Sequence, residues 1–204
     1  MKNIILLVIL TAVIFVFAAC TEGEYGRFEW EIINGEMTIT GFRESNNISG
    51  VIIPAEINGK PVTSIGVKVK KWNDSKKAPF YDKGLTSVTI PNSVKTIGGW
   101  AFYTNSLTSV TIPNSVTYID NGAFADNQLT SVTIPNSVTT IGMRAFVGNR
   151  QLTQVNIGAN VTLIQGNRGF PFYDIGFDDA YINGGRQAGR YTRPDTDSQV
   201  WTRQ

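Results

Sequence analysis

The stretch Leu85-Thr86-Ser87-Val88-Thr89-Ile90-Pro91-Asn92-Ser93-Val94 returns unchanged at 107–116 and at 129–138, 22 residues apart each time. Inside it Val88 and Ile90 alternate with Ser87 and Thr89, the two-residue period of a strand with one buried face. Pro91-Asn92-Ser93 stops and turns that strand, because proline cannot donate to a central ladder and all three residues suit turns. Aligned on Leu85, Leu107, Leu129 and Leu152, the apolar residues hold fixed offsets. Val88, Val110, Val132 and Val155 form one row, and Ile90, Ile112, Ile134 and Ile157 the next. Val94, Val116, Val138 and Val161 follow, then Ile97, Ile119, Ile141 and Ile164. Ala101-Phe102, Ala123-Phe124 and Ala145-Phe146 close the units, and Phe170 takes that place in the last. Ser93, Ser115, Ser137 and Asn160 share a small polar place from which a side chain can bond the backbone of a turn. Gly98 to Asn105 has room for a helical turn or two, with Asp120 and Asn121 as capping residues of the same turn one unit on.

A repeat of this length with one short strand per unit is the mark of a leucine-rich-repeat solenoid. One unit cannot offset the entropy of ordering its own backbone, so the units must stack and share a core. Upstream, Val51-Ile52-Ile53-Pro54 matches Val88-Thr89-Ile90-Pro91, interrupted by Ala55 to Lys60 and rejoined at Pro61. Ala78-Pro79-Phe80 supplies the Ala-Phe place of that unit after a second insertion. The expected fold is therefore mainly β with short helical turns: about five coils carrying a parallel sheet, capped by β-hairpins. One hairpin is expected over 28–40, around an Asn34-Gly35 turn, and another within 177–191, around Asn183-Gly184. The expected organisation is a signal peptide (1–19), a lipidated tether (20–27), an N-terminal hairpin cap (28–47), the solenoid (48–170) and a C-terminal cap (171–204).

Composition excludes several function classes. Charged residues make up 17% of the chain, below the usual quarter. The net charge of +2 is too small for a dedicated nucleic-acid binder. The chain has no histidine, the commonest general base and metal ligand. A single cysteine, Cys20, rules out an internal disulfide or a cysteine-built zinc site. No catalytic residue, metal or cofactor is expected. Carboxylates Asp178, Asp179, Asp195 and Asp197 lie in turn-like sequence with no sign of the cleft an acid–base pair needs.

Lys2 precedes an uncharged run from Ile4 to Ala19, and Ala18-Ala19 precedes Cys20. A basic start, a short apolar run and small residues at a cut define an export signal. Phe17-Ala18-Ala19-Cys20 resembles a bacterial lipoprotein lipobox, with phenylalanine where leucine is typical. The resemblance implies that Cys20 becomes an acylated N-terminus. Each buried acyl CH₂ contributes about 0.8 kcal/mol, so two or three chains hold a protein to a membrane durably.

Val-x-Ile-Pro-Asn-Ser-Val-x-x-Ile-Gly-x-x-Ala-Phe resembles the BspA-like leucine-rich repeat, here at 88–102 and, with Asp120 at the glycine place, at 110–124, and again at 132–146. Residues 52–66 resemble the entry repeat of such proteins, and 177–193 resemble the C-terminal tail of treponemal members. The resemblance implies an exported or surface protein of a class that includes adhesins for host matrix and partner bacteria. It carries over no catalytic residue.

Two surfaces are candidates for binding. The outward strand residues Thr86, Ser87, Thr89, Thr108, Ser109, Thr111, Thr130, Ser131, Thr133, Gln154 and Asn156 would form a flat, hydroxyl-rich strip. Such a strip can be a solubilising face of good β-propensity or a recognition surface of the kind repeat proteins use. The insertion holding Lys68, Lys70, Lys71, Trp72, Lys76 and Lys77 can be a solvated loop or a basic patch for sulfated glycans, acidic proteins or lipid headgroups. Trp100, Tyr103 and Tyr118 fall off the fixed core places and could add anchors; Trp100 and Tyr103 flank Ala101-Phe102 and could equally pack on the convex side. The expected role is a lipid-anchored surface binding module, adhesin-like, with a protein or glycan ligand, no nucleic acid, and membrane contact through Cys20. It would sit in the bacterial envelope, at the outer membrane surface. The other expectation is a structural or envelope-organising lipoprotein with a periplasmic partner.

Overall fold

A computed structural model describes residues 26–44, 48–67, 78–166 and 169–204. The N-terminal hairpin pairs β1 (Phe28–Ile33) with β2 (Glu36–Phe42), closed by the expected two-residue turn. Asn34 and Gly35 both hold positive φ, 53° and 84°, as a turn matched to strand twist requires. The first coil carries β3 (Gly50–Ile52) and a small hairpin of β4 (Glu56–Ile57) with β5 (Lys60–Ile65). Further coils supply β6 (Ser87–Thr89), β7 (Thr96–Ile97), β8 (Tyr118–Ile119), β9 (Ser131–Thr133), β10 (Thr140–Ile141), β11 (Gln154–Ile157) and β12 (Thr162–Leu163). The chain ends with α1 (Phe177–Asn183), β13 (Gly189–Thr192) and β14 (Thr202–Arg203). The result is the expected solenoid of stacked parallel coils.

Most coils offer two strands rather than one; the coil at 107–128 has β8 and only a bridge at Thr111. The longest sheet, ordered β1-β2-β5-β7-β8-β10-β12, is built on the Thr96-Ile97 type of strand. Its inward row Ile39, Ile65, Ile97, Ile119, Ile141 and Leu163 is in register from coil to coil and buried. The Ser-Val-Thr strands form two shorter sheets, β3-β6 and β9-β11-β13-β14. Between them Thr111 makes a single parallel bridge to Thr133. Val88 and Val110 flank this break and are half-buried, whereas Val51, Val132 and Val155 are buried. The Gly98–Asn105 corner and its copies form single turns closed by i to i+3 backbone bonds, as from Ala101 N–H to Gly98 and Tyr103 N–H to Trp100. Asp120 accepts from the Asn121 N–H and the Asn121 Oδ1 accepts from the Met143 N–H one coil on, so this pair ties turns together and starts no helix.

Inside the coils, phenylalanines stack along the solenoid axis. Phe80, Phe102, Phe124, Phe146 and Phe172 lie face to face at 5.2, 5.3, 5.4 and 4.7 Å between centroids, all nearly parallel. Phe172, not Phe170, ends the stack: Phe146 N–H donates to Pro171, the place Ala145 holds for Phe124. Leu152 to Phe172 is three residues longer than Leu129 to Phe146, with Gly166 and Gly169 bonded to each other on the way, and Phe170 is left half-buried.

The small polar ladder also differs from expectation. Ser93 and Ser115 hydroxyls donate to carbonyls of the previous coil, Ala55 at 2.9 Å and Val94 at 2.6 Å. Among the described residues the Ser137 hydroxyl has no hydrogen-bond partner, and Asn160 is exposed. The continuous ladder belongs instead to Asn105, Asn127 and Asn149, all buried. Asn127 Nδ2 donates to Phe102 (2.9 Å) and Phe124 (3.1 Å), while its Oδ1 accepts from Leu107 N–H (3.1 Å). Asn105 bonds Phe80, Phe102 and Leu85 in the same way, and Asn149 bonds Phe124, Phe146 and Leu129.

Residues 177–183 are helical where a hairpin strand was expected. Phe177 and Tyr181, four apart, are both buried, which fits one helical face and not strand alternation. Tyr181 OH donates to Gly158 (2.7 Å) and accepts from Val161 N–H (3.0 Å), pinning the helix to the last coil. Antiparallel pairing in this cap is supplied by β13 with β11 and β14. Trp201 folds back, its Nε1 donating to Ile175 (2.7 Å).

Replacing Asn127 by leucine should cost about 2 kcal/mol, because it leaves the buried Leu107 N–H without its acceptor and removes one of the two side-chain bonds that each of the Phe102 and Phe124 carbonyls accepts. The same change at exposed Asn114 should fall within about 0.5 kcal/mol of the parent; chemical denaturation of both variants measures the contrast. Gly122→Ala should also destabilise, since its φ is 63° and an added Cβ would lie 2.0 Å from the Trp100 ring.

Candidate binding face

The strip lies where the repeat places it. Thr86, Ser87, Thr89, Thr108, Ser109, Thr111, Thr130 and Thr133 are exposed; Ser131, Gln154 and Asn156 are half-buried. Strand register orders one row as Ile52, Thr89, then Thr111, Thr133, Asn156 and Arg190. The row beside it runs Gly50 to Ser87 and, beyond the break, Ser131, Gln154, Thr192 and Thr202. Cross-strand bonds knit its end: Asn156 Nδ2 donates to the Thr133 hydroxyl at 3.1 Å, and Arg190 Nη2 to Gln154 Oε1 at 2.6 Å.

Two members of this face are additions to the sequence reading. Ile52 is 73% exposed and stands where later coils place threonine. The match of Val51-Ile52-Ile53 to Val88-Thr89-Ile90 contains that signal. Arg190 enters from an antiparallel cap strand, and no repeat offset points to it. The strip thus runs from an apolar end to a cationic end, with hydroxyl and amide groups between.

The other candidates fare differently. Cys20 and the insertion Lys68, Lys70, Lys71, Trp72, Lys76 and Lys77 lie outside the described residues. Trp100 is not a surface anchor. It is buried with Ala125 and Val147, at φ 59°, and meets the Tyr103 ring edge-on at 5.0 Å. Tyr103 is half-buried and stacks on Tyr81 at 5.5 Å. Burial raises its hydroxyl pKa. Tyr118 is half-buried on the outer side of the longest sheet and donates to Asp120 Oδ1 at 3.2 Å. Burial, and then the Asp120 carboxylate, push its hydroxyl up to about 12, so it remains a neutral donor.

The four carboxylates do not converge. Asp195 Oδ1 accepts from the N–H groups of Asp197 (3.0 Å) and Ser198 (2.8 Å), closing an exposed turn. Asp179 and Asp197 are exposed. Asp178 is buried, with both oxygens on the Phe172 N–H at 3.2 and 3.0 Å. Desolvation pushes it up to about 8, assisted by the Asp179 and Asp174 carboxylates and opposed by the bond from Phe172. Among the described residues no group of three or more His, Cys, Asp or Glu could hold a metal ion. Arg193, also buried, donates to the carbonyls of Leu152 (2.7 Å), Arg150 (2.8 Å), Thr196 and Ser198 (both 2.9 Å), with its guanidinium 5.4 Å over Trp201. Burial lowers its pKa against the raising effect of Asp174, Asp195 and Asp197. Both groups hold the cap together.

A capped solenoid of parallel coils, with large side chains inside and a polar strand face outside, defines a repeat protein of the leucine-rich class. The model of the BspA-type leucine-rich repeat region, in six copies, matches residues 75–174, and the chain belongs to that family. A leucine-rich repeat protein from Bacteroides capillosus is 31% identical, over 57% of this chain and 83% of that one, with a TM-score of 0.42. The T. pallidum leucine-rich repeat protein is 23% identical, over 67% of this chain and 71% of that one, with a TM-score of 0.45. One from Bacteroides ovatus is 23% identical, with a TM-score of 0.44; the match covers 67% of this chain but only 41% of that longer protein. No curated protein matches the chain.

An acid that ionises less readily when folded takes up protons on folding, so Asp178 stabilises less as pH rises from the ordinary aspartate range to about 8. Thermal unfolding should therefore show a lower midpoint at pH 9 than at pH 5. Asp178→Asn, which keeps an acceptor for Phe172 and cannot ionise, should narrow that difference.

Proposed function

We propose that the chain is a lipid-anchored cell-surface binding module of adhesin type. In this reading acyl chains on Cys20 hold it to the bacterial outer membrane, and the strip carries a protein or glycan of host matrix, host cells or partner bacteria. The observation that carries the proposal is the strip itself. Most of its side chains are short and exposed, on strands whose opposite face is committed to the core. Its ends differ in chemistry, Ile52 at one and Arg190 at the other, which gives a ligand a direction along it. Hydroxyl and amide groups on a rigid backbone suit polar ligands at low entropic cost. The export signal and the Phe17-Ala18-Ala19-Cys20 sequence support the anchor. The lysine insertion would supply a second, electrostatic contact to sulfated or acidic ligands. The reading involves no catalysis.

Cells producing the protein should bind matrix proteins, host glycans or partner bacteria, and protease applied to intact cells should remove it. Cys20→Ala should release it from the membrane fraction. Thr111→Arg with Thr133→Arg, both at exposed positions, should leave folding intact and weaken binding by about ten-fold, roughly 1.4 kcal/mol. Protection from external protease would instead favour the envelope-organising role, and retention of the Cys20→Ala variant in the membrane would refute lipidation.

A further inference from the structure

β1 is the terminal strand of the longest sheet, and among the described residues nothing pairs with its outer edge. Residues flanking a two-residue hairpin loop exchange backbone bonds, here Ile33 with Glu36. Alternation from that pair turns the N–H and C=O groups of Trp30 and Ile32 outward, to the free edge. The side chains of the same two residues are incompletely covered. Trp30 is a half-buried neighbour of the core, and Ile32 is 52% exposed. The opposite face of β1 carries exposed Glu29 and Glu31.

Charge favours one kind of occupant. Residues 26–44 hold Arg27 and Arg43 against Glu29, Glu31, Glu36 and Glu44, a net −2 within a chain of net +2. Arg27 is taken by Glu44 at 2.9 Å and Arg43 by Glu29 at 3.4 Å, which leaves Glu31 and Glu36 as the local surplus. Acidic side chains on an edge strand oppose pairing with a second copy of the same strand, which would bring like charges together.

We propose that this edge accepts an extended partner segment of alternating apolar and basic residues, added as a further strand to the sheet. The partner's backbone bonds Trp30 and Ile32, its apolar residues cover their side chains, and its lysines or arginines face Glu31 and share Glu29 with Arg43. This follows the general chemistry of strand addition, in which the main chain supplies affinity and alternate side chains supply specificity.

The test uses the full chain and two synthetic peptides, one alternating valine with lysine and one alternating valine with glutamate. The lysine peptide should bind, slow amide hydrogen exchange across 28–33, and weaken several-fold in high salt. Glu29→Lys with Glu31→Lys should reverse the preference, so that the glutamate peptide binds and the lysine peptide does not; an unchanged thermal unfolding midpoint confirms that the variant is folded. The proposal is overturned by equal binding of both peptides, by an unchanged preference in the variant, or by protection confined to the hydroxyl strip. Protection of 28–33 that rises with protein concentration in the absence of peptide also overturns it, since the occupant would then be a second copy.

Discussion

Each coil turns its backbone inward just after the stacked phenylalanine, and the carbonyls exposed there have to be met inside an apolar core. Asn105, Asn127 and Asn149 meet them. Each reaches the phenylalanine carbonyl of its own coil and of the coil before, and its oxygen accepts from the buried leucine N–H 20 residues earlier. A buried amide satisfied on both sides ties neighbouring coils in a fixed register, and an unsatisfied one would be costly in the same place. The phenylalanine stack, the isoleucine rows and the two strand faces all depend on that register.

A stack of this kind has two ends, and both are closed with aromatic side chains and an arginine. At the start, Arg27 lies over Phe28 and Phe42, which pack on Phe80. At the finish, Phe172 meets Phe177, and Phe177 meets Tyr191 and Trp201, with Arg193 over the last ring. The two closures differ in strength of coverage. The C-terminal cap adds a helix and two strands, whereas the N-terminal hairpin leaves its outer edge unpaired among the described residues.

The division of side chains between inside and outside sets what the surface can do. Leucine, valine, isoleucine and phenylalanine are spent on stacking, and even Trp100 is drawn in over Gly122. What remains on the strip is short and polar, except where repetition stops. Ile52 belongs to the divergent first coil and Arg190 to the cap, so the chemically distinct points of the face sit at its two ends.

Much of this architecture can be read from residues alone. The 22-residue spacing, the Val-x-Ile alternation and the Asn34-Gly35 turn locate coils, buried rows and the first hairpin, because each rests on a local period. The outward Thr and Ser positions follow from the same alternation. Other features depend on contacts between coils, which no single period contains. Asn105, Asn127 and Asn149 repeat as faithfully as the serines, but only stacking reveals that they face carbonyls from two coils. The Thr96-Ile97 strands are two residues long and become a sheet only when their neighbours are in place. Phe172 displaces Phe170 because the longer last coil must still reach the phenylalanine stack. Residues 177–183 become helical because Phe177 and Tyr181 both have to enter the last coil's open end. Periodicity along the chain thus determined the coil and its inward and outward faces; packing between coils decided the register, the ends of the stack and the ends of the binding face.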